Sequence, residues 1–140
     1  MAPGDEAVVV DAGGTPVGLT ICYDLRFPEL YRRLAARGAR LVTVPSAFTM
    51  ETGKDHWEVL LRARAIENQV YVLAAAQCGP HPPAQVCYGN AMVVDPWGVV
   101  VARAGYRDGV VVADVNLAEL ERLRRSLPAL QHRRQDLFTF

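Results

Sequence analysis

The stretch Val17-Gly18-Leu19-Thr20-Ile21-Cys22-Tyr23-Asp24-Leu25-Arg26-Phe27-Pro28-Glu29-Leu30 decides the fold. Its first five residues form a short apolar run that reads as a strand. Its end reads as a helix start, because proline suits the first helical turn, where its missing N–H would have gone unpaired. Leu30, Tyr31, Leu34 and Ala35 then recur on one face while Arg32, Arg33 and Arg37 point elsewhere, and Gly38 supplies a left-handed stop. A strand feeding a helix through a sharp turn is the building unit of α/β folds. Their ligand sites gather just beyond the carboxyl ends of the strands. Cys22 stands at that place.

Working outward, Val8-Val9-Val10 is a strand and Asp11-Ala12-Gly13-Gly14 the hairpin turn that returns it to residues 17–21. Leu41-Val42-Thr43-Val44 reads as a strand buried on both faces, followed by a loop over residues 45–54. Asp55 is placed to cap a helix, with Glu58 closing a capping box. Trp57, Leu60, Leu61, Ala65 and Asn68 form its buried stripe, and Glu58–Arg62 is an i,i+4 pair. Residues 70–76 form the next buried strand, and the proline-rich residues 77–86 an exposed loop. Strands are then expected over residues 88–94, 99–104 and 109–115, the first two joined by a turn at Asp95-Pro96-Trp97-Gly98. Asn116 caps a last helix, which Pro128 ends. The tail is charged and then closes on Leu137-Phe138-Thr139-Phe140. The class is α/β, a mostly parallel sheet giving way to antiparallel strands.

Composition narrows the function. The 140 residues are 51% hydrophobic and 21% charged, enough for a core and too apolar for disorder. The formal net charge of zero lacks the basic footprint of a nucleic-acid binder. No apolar run reaches the roughly 18 residues of a membrane span, and the start has neither the charge nor the apolar stretch of a secretory signal. Three cysteines without C-x-x-C spacing argue against a disulfide framework and a zinc site, so no metal is expected and a reducing, cytoplasmic setting fits.

Among candidate chemical groups, Cys22 is the sharpest. Backbone N–H groups at the turn and the helix start favour negative charge and can hold an oxyanion. Two readings of it stay open: a nucleophile, or a small buried hydrophobe. Cys78 and Cys87 flank the proline-rich loop and read as core or surface thiols. A nucleophile needs a base, and His56, His81 and His132 read as structural or solvated. Lys54, the single lysine, faces solvent, and Asp24, Arg26 and Glu29 read as architectural ion pairs.

The run from Gly18 to Leu30 resembles the nucleophile segment of the nitrilase superfamily of carbon–nitrogen hydrolases. The likeness continues through Pro45-Ser46-Ala47-Phe48 and through His56-Trp57-Glu58-Val59-Leu60-Leu61-Arg62-Ala63-Arg64-Ala65-Ile66-Glu67-Asn68. It then takes in Tyr88-Gly89, Val94-Asp95-Pro96-Trp97-Gly98 and Gln131-His132-Arg133-Arg134, and it is strongest with the nitrilase-homologue branch. The resemblance implies an α-β-β-α sandwich that dimerises through helices. It implies hydrolysis of a small carboxylated amide of the omega-amide type, by a cysteine through an acyl-enzyme and without a metal or organic cofactor. It assigns Cys22 as nucleophile, the Tyr23 N–H as oxyanion donor, and Arg26, Phe48 and Thr52 as pocket residues, with the fork of Arg26 suited to a substrate carboxylate.

The family's Glu base, Lys and second Glu all precede the cysteine. Here 21 residues do, containing Glu6 and no lysine, and Glu6 does not sit in the motif of the base. The resemblance therefore implies the C-terminal part of one carbon–nitrogen hydrolase domain, with the N-terminal half missing, unpaired sheet edges and little activity by itself. The alternative is an association module that joins a homologue or another half through those edges.

Overall fold

The computed structural model describes residues 4–134, 136 and 137; the start of the chain and the tail residues 138–140 lie outside them. Strands β1 (Val9–Ala12), β2 (Thr15–Leu19), β3 (Leu41–Thr43), β4 (Tyr71–Ala74), β7 (Met92–Val94) and β8 (Val100–Arg103) form one sheet in the order β1-β2-β3-β4-β7-β8. β2, β3 and β4 run parallel, and β1, β7 and β8 are antiparallel to their neighbours. Gly13 and Gly14 both take positive φ, +63° and +83°, the pair of left-handed residues that a two-residue hairpin turn requires.

One face of the sheet carries α1 (Pro28–Ala36) and α3 (Glu58–Asn68). Tyr31 and Leu34 of α1, with Trp57, Leu61 and Ala65, bury themselves against Val42, Val44, Val72, Met92 and Val94. On the opposite face Val17, Leu41 and Tyr71 meet Leu120 of α4 (Leu117–Ser126). The Asn116 side chain accepts the Glu119 N–H at the start of α4, as its sequence position predicts. Arg124 fastens α4 further by donating to the carbonyls of Gln69 and Ala39.

Four expectations are corrected. The helix predicted to start at Asp55 begins earlier: α2 (Met50–Thr52) follows Thr49, a π-helical turn spans Gly53–Trp57, and α3 continues from it. Asp55 lies inside that turn, and Trp57, whose indole donates to the Asn90 carbonyl, fixes the register instead. Glu58 does lie 3.9 Å from Arg62, yet its closer partner is Arg103 at 2.7 Å. The proline-rich loop is a hairpin of β5 (Cys78–His81) and β6 (Gln85–Tyr88). The strand expected over residues 88–94 is broken before β7, where Asn90 turns left-handed at φ 60°. Residues 109–115 join no sheet; Val110 and Val112 stand 88% and 86% exposed. Strand propensity was present there, but among the described residues no ladder partner is.

Between β2 and α1, residues Cys22–Arg26 form a tight 3-10 helix. Arg64, 5% exposed, holds it from α3: Nε and Nη2 donate to the Leu25 carbonyl at 3.0 and 2.7 Å, and Nη1 reaches Glu67 at 3.0 Å. The guanidinium carbon also sits 5.4 Å from the Tyr31 ring centre. The Tyr31 hydroxyl meets Thr20 Oγ1 at 3.0 Å, and Thr20 in turn donates to the Thr43 carbonyl. A buried polar chain thus ties the residues before and after Cys22 to the sheet and to α3.

Replacing Arg64 by Met leaves the Leu25 carbonyl buried without a donor, and denaturant unfolding is expected to show a loss of about 3 kcal/mol. Burial pushes the Tyr31 hydroxyl up to about 12, its hydrogen bond to Thr20 opposing the shift. The stability this carries is fully present below the ordinary tyrosine value near 10 and is lost as pH rises through about 12. Unfolding measured from pH 9 to 12 is therefore expected to show a steeper alkaline loss in the wild-type chain than in Tyr31→Phe.

Candidate active site

The site is built around one backbone outlier. Cys22 takes φ 46° in the left-handed region, where a side chain other than glycine's carries a steric cost that the surroundings must hold in place. They do so on every side. The Cys22 N–H donates to the Pro45 carbonyl at 2.8 Å, at the end of the neighbouring parallel strand. Asp24 Oδ2 accepts the Ile21 N–H at 2.9 Å, and the Asp24 N–H returns to the Ile21 carbonyl at 3.0 Å. The N–H of Tyr23, between them, donates in none of these bonds. A nucleophile on a sharp strand-to-helix turn is the arrangement of hydrolase elbows, which lift the side chain clear of the sheet.

The side chains next to this turn form a stack. The Arg26 guanidinium carbon lies 5.4 Å from the centre of the Tyr23 ring and 5.2 Å from that of Phe48. Phe48 is buried and leans on Trp57 with ring centres 5.0 Å apart, while Tyr23 contacts Phe27 edge-on at 5.7 Å. The expected ion pairs among Asp24, Arg26 and Glu29 do not form: Asp24 is used as a cap, and no ion pair of the described residues includes Arg26. Its one polar side-chain partner among the described residues is His56 Nδ1, at 3.3 Å from Nη1. Aromatic rings attract the guanidinium charge without accepting its N–H groups through a carboxylate or carbonyl, so those donors are not consumed by the contact.

Of the residues assigned from the sequence, Cys22, Tyr23 and Arg26 share the 3-10 helix, and Phe48 joins them through Arg26. Thr52 is half-buried and bonds the Thr49 hydroxyl at 3.0 Å. Glu6 and Lys54 are both exposed, Glu6 in a cleft with Glu29 and Arg33. His56, read as structural or solvated, is exposed and meets Arg26 across the turn. Its place before Trp57, whose burial fixes how the π-helical turn faces the elbow, brings it there. The remaining thiols differ from Cys22: Cys87 is buried, and Cys78 is held above its ordinary value by desolvation and the Asp108 carboxylate. Among the described residues no cluster of His, Cys, Asp or Glu could hold a metal ion, and no helix is long and apolar enough to cross a membrane.

Residues 1–125 match the sequence profile of the family described as carbon-nitrogen hydrolase. The human deaminated glutathione amidase is 58% identical over 136 residues, covering 97% of this chain and 41% of that protein. The crystal structure of the Caenorhabditis elegans NitFhit protein superposes with a TM-score of 0.94 at 52% identity, over 99% of this chain and 34% of that one. A mutant amidase from Nesterenkonia, solved with the acetamide moiety of fluoroacetamide added covalently at its active-site cysteine, is similar at 38% identity and a TM-score of 0.81, over 97% of this chain and 48% of its own. The chain spans about two fifths of the length of these curated deaminated glutathione amidases. Sheet order, superposition and sequence profile agree: the chain belongs to the carbon–nitrogen hydrolase family of the nitrilase superfamily.

Proposed function

We propose that the chain is the C-terminal part of a single carbon–nitrogen hydrolase domain, and that Cys22 is the nucleophile by which the domain cleaves a small carboxylated amide. The observation that carries this reading is the left-handed backbone of Cys22, held by bonds to Pro45 and by the Asp24 cap. Strain of that kind persists where a side chain must be aimed.

The Cys22 thiolate attacks the amide carbon; the C–S bond forms as the carbonyl π pair moves to oxygen. The Tyr23 N–H, left over by its neighbours' bonds, holds that oxyanion. Collapse breaks the C–N bond and leaves a thioester. The leaving amine takes the proton that the Cys22 thiol gave up on becoming a thiolate, carried by the base that the complement supplies. Water then adds to the thioester, the C–S bond breaks, and the acid leaves with the thiol restored. Arg26 receives the far carboxylate on the edge its aromatic neighbours leave open. The deaminated glutathione and amidase relatives support the substrate class.

The base and the cation that the family places before the cysteine have no counterpart beside Cys22: Glu6 lies with Glu29 and Arg33, and Lys54 in the exposed π-helical turn. The chain alone is then a poor catalyst, and its complement supplies both groups. Val59 and Ile66, exposed seven residues apart on α3, suit the helix-to-helix contact of a homodimer. Three unpaired thiols fit a reducing, cytoplasmic setting.

Two measurements test the reading. Hydrolysis of succinamate, the half-amide of a four-carbon diacid, is expected to be slower by several powers of ten in the 140-residue chain than in the chain extended upstream, and to vanish in both with Cys22→Ala. Equal Cys22-dependent turnover in the two would place the acid–base groups within these residues. Fluoroacetamide is expected to alkylate Cys22 ahead of Cys78 and Cys87 in the extended chain, read by peptide mass spectrometry. Uniform labelling, or labelling of Cys78 first, overturns the assignment of the nucleophile.

A further inference from the structure

The stacked Arg26 raises a question that stacking does not answer. Two rings lie 5.4 and 5.2 Å from its guanidinium carbon, yet attraction of a cation to a ring leaves the guanidinium free to swing about its side-chain bonds. Which N–H groups face a ligand is then undetermined. One contact removes the freedom: Nη1 meets His56 Nδ1 at 3.3 Å. Arginine has donors only, so the bond requires Nδ1 to be an acceptor and the imidazole to be neutral with its proton on Nε2.

We propose that His56 is a positioning residue for substrate selection: it fixes the direction of the Arg26 guanidinium, so that the remaining N–H groups meet a carboxylate distal to the scissile amide. This rests on the carboxylated-amide reading above. Three observations converge on it. Among the described residues Arg26 has no carboxylate partner, so its charge is not already neutralised. Phe48, one of its two ring neighbours, is itself immobilised by Trp57, the residue next to His56 in the chain. His56 rides on a π-helical turn, a geometry that is rare and gathers at functional sites because it re-aims side chains out of the α-helical register. The helix carrying His56 and the elbow carrying Arg26 are also locked together by Arg64, so the 3.3 Å contact joins two elements that do not drift apart. A carboxylate gains its strongest grip from a guanidinium edge presented in a fixed orientation, and a rotating one forfeits part of it.

The test uses the whole chain, uniformly labelled with 15N, and two probes of similar shape: succinamate, and butyramide, in which a methyl group replaces the carboxylate. The imidazole nitrogens of His56, one of three histidines, and the Arg26 Nε–H are followed by NMR. The expected result is an Nε2–H tautomer for His56 and saturable shifts of both signals with succinamate and not with butyramide. In His56→Leu, succinamate binding is expected to weaken about tenfold, read at Arg26 Nε. In His56→Asn, whose side-chain carbonyl again offers an acceptor, it is expected to return to near the wild-type value. A purely structural role for His56 would move both probes alike and would not be rescued by Asn. A proton on Nδ1, equal binding of the two amides, no succinamate binding at all, or wild-type binding in His56→Leu overturns the proposal. None of these readings depends on acylation, so they stand apart from the Cys22→Ala turnover experiment, which judges the nucleophile.

Discussion

The two hydrogen bonds from Arg64 to the Leu25 carbonyl are the constraint on which the rest of this structure depends. A 3-10 helix of five residues has few internal bonds, and its first residue, Cys22, is in a backbone conformation it would leave if released. The free energy that keeps it there comes from outside the turn. Arg64 supplies it from α3, Pro45 from the end of β3, and Asp24 from within. Arg64 is itself held by Glu67 and by the Tyr31 face, so the buried charge is matched by a carboxylate, a carbonyl and a π-system rather than stranded. The fold and the conformation of Cys22 are therefore one packing problem. What buries α1 and α3 against the sheet also sets the direction of the sulfur.

Much of this architecture is legible in the sequence, and the reasons are local. The hairpin at Gly13-Gly14, the proline that opens α1, the glycine after it and the Asn116 cap each follow from a residue with a narrow conformational or hydrogen-bonding preference. Gly38, at φ 92°, is followed by Ala39, whose N–H reaches back to the Leu34 carbonyl, the bond that closes a helix through a left-handed residue. The turn at Asp95 is equally local, its carboxylate accepting the N–H groups of Trp97 and Val99.

The misreadings share a different cause. Asp55 and Glu58 match a capping box, but the burial of Trp57 and the contact of Gly53 with Tyr88 pull the helix start back to Met50. A Cβ on Gly53 would come within 2.4 Å of the Tyr88 side chain, so that backbone is packed as core and not as loop. Residues 109–115 show the reverse. The run Val110-Val111-Val112 predicts a strand, and a strand is a property of two segments in register, not of one. Val110 and Val112 stand exposed in a segment that has no ladder partner among the described residues, and Val110 lines a cleft with Leu73, Val93 and Val111. Tertiary context overrode a propensity in one case and was lacking in the other.

The site divides along the same line. The elbow at Cys22 is legible because a strand–turn–helix boundary is written in consecutive residues, and the family likeness extends the proposed site to Tyr23, Arg26 and Phe48. The contact of His56 with Arg26 is not written that way, since it joins residues thirty positions apart. Arg26 was read as half of an ion pair on charge alone, whereas its neighbours choose otherwise: Asp24 gains more by capping the Ile21 N–H, a bond made in the turn itself, than from an exposed pair worth at most about 1 kcal/mol. Arg26 is left beside the Tyr23 and Phe48 rings with His56 at one corner, and no ion pair of the described residues claims its charge. On the proposed reading, an incoming carboxylate then meets that guanidinium without having to displace a tethered one.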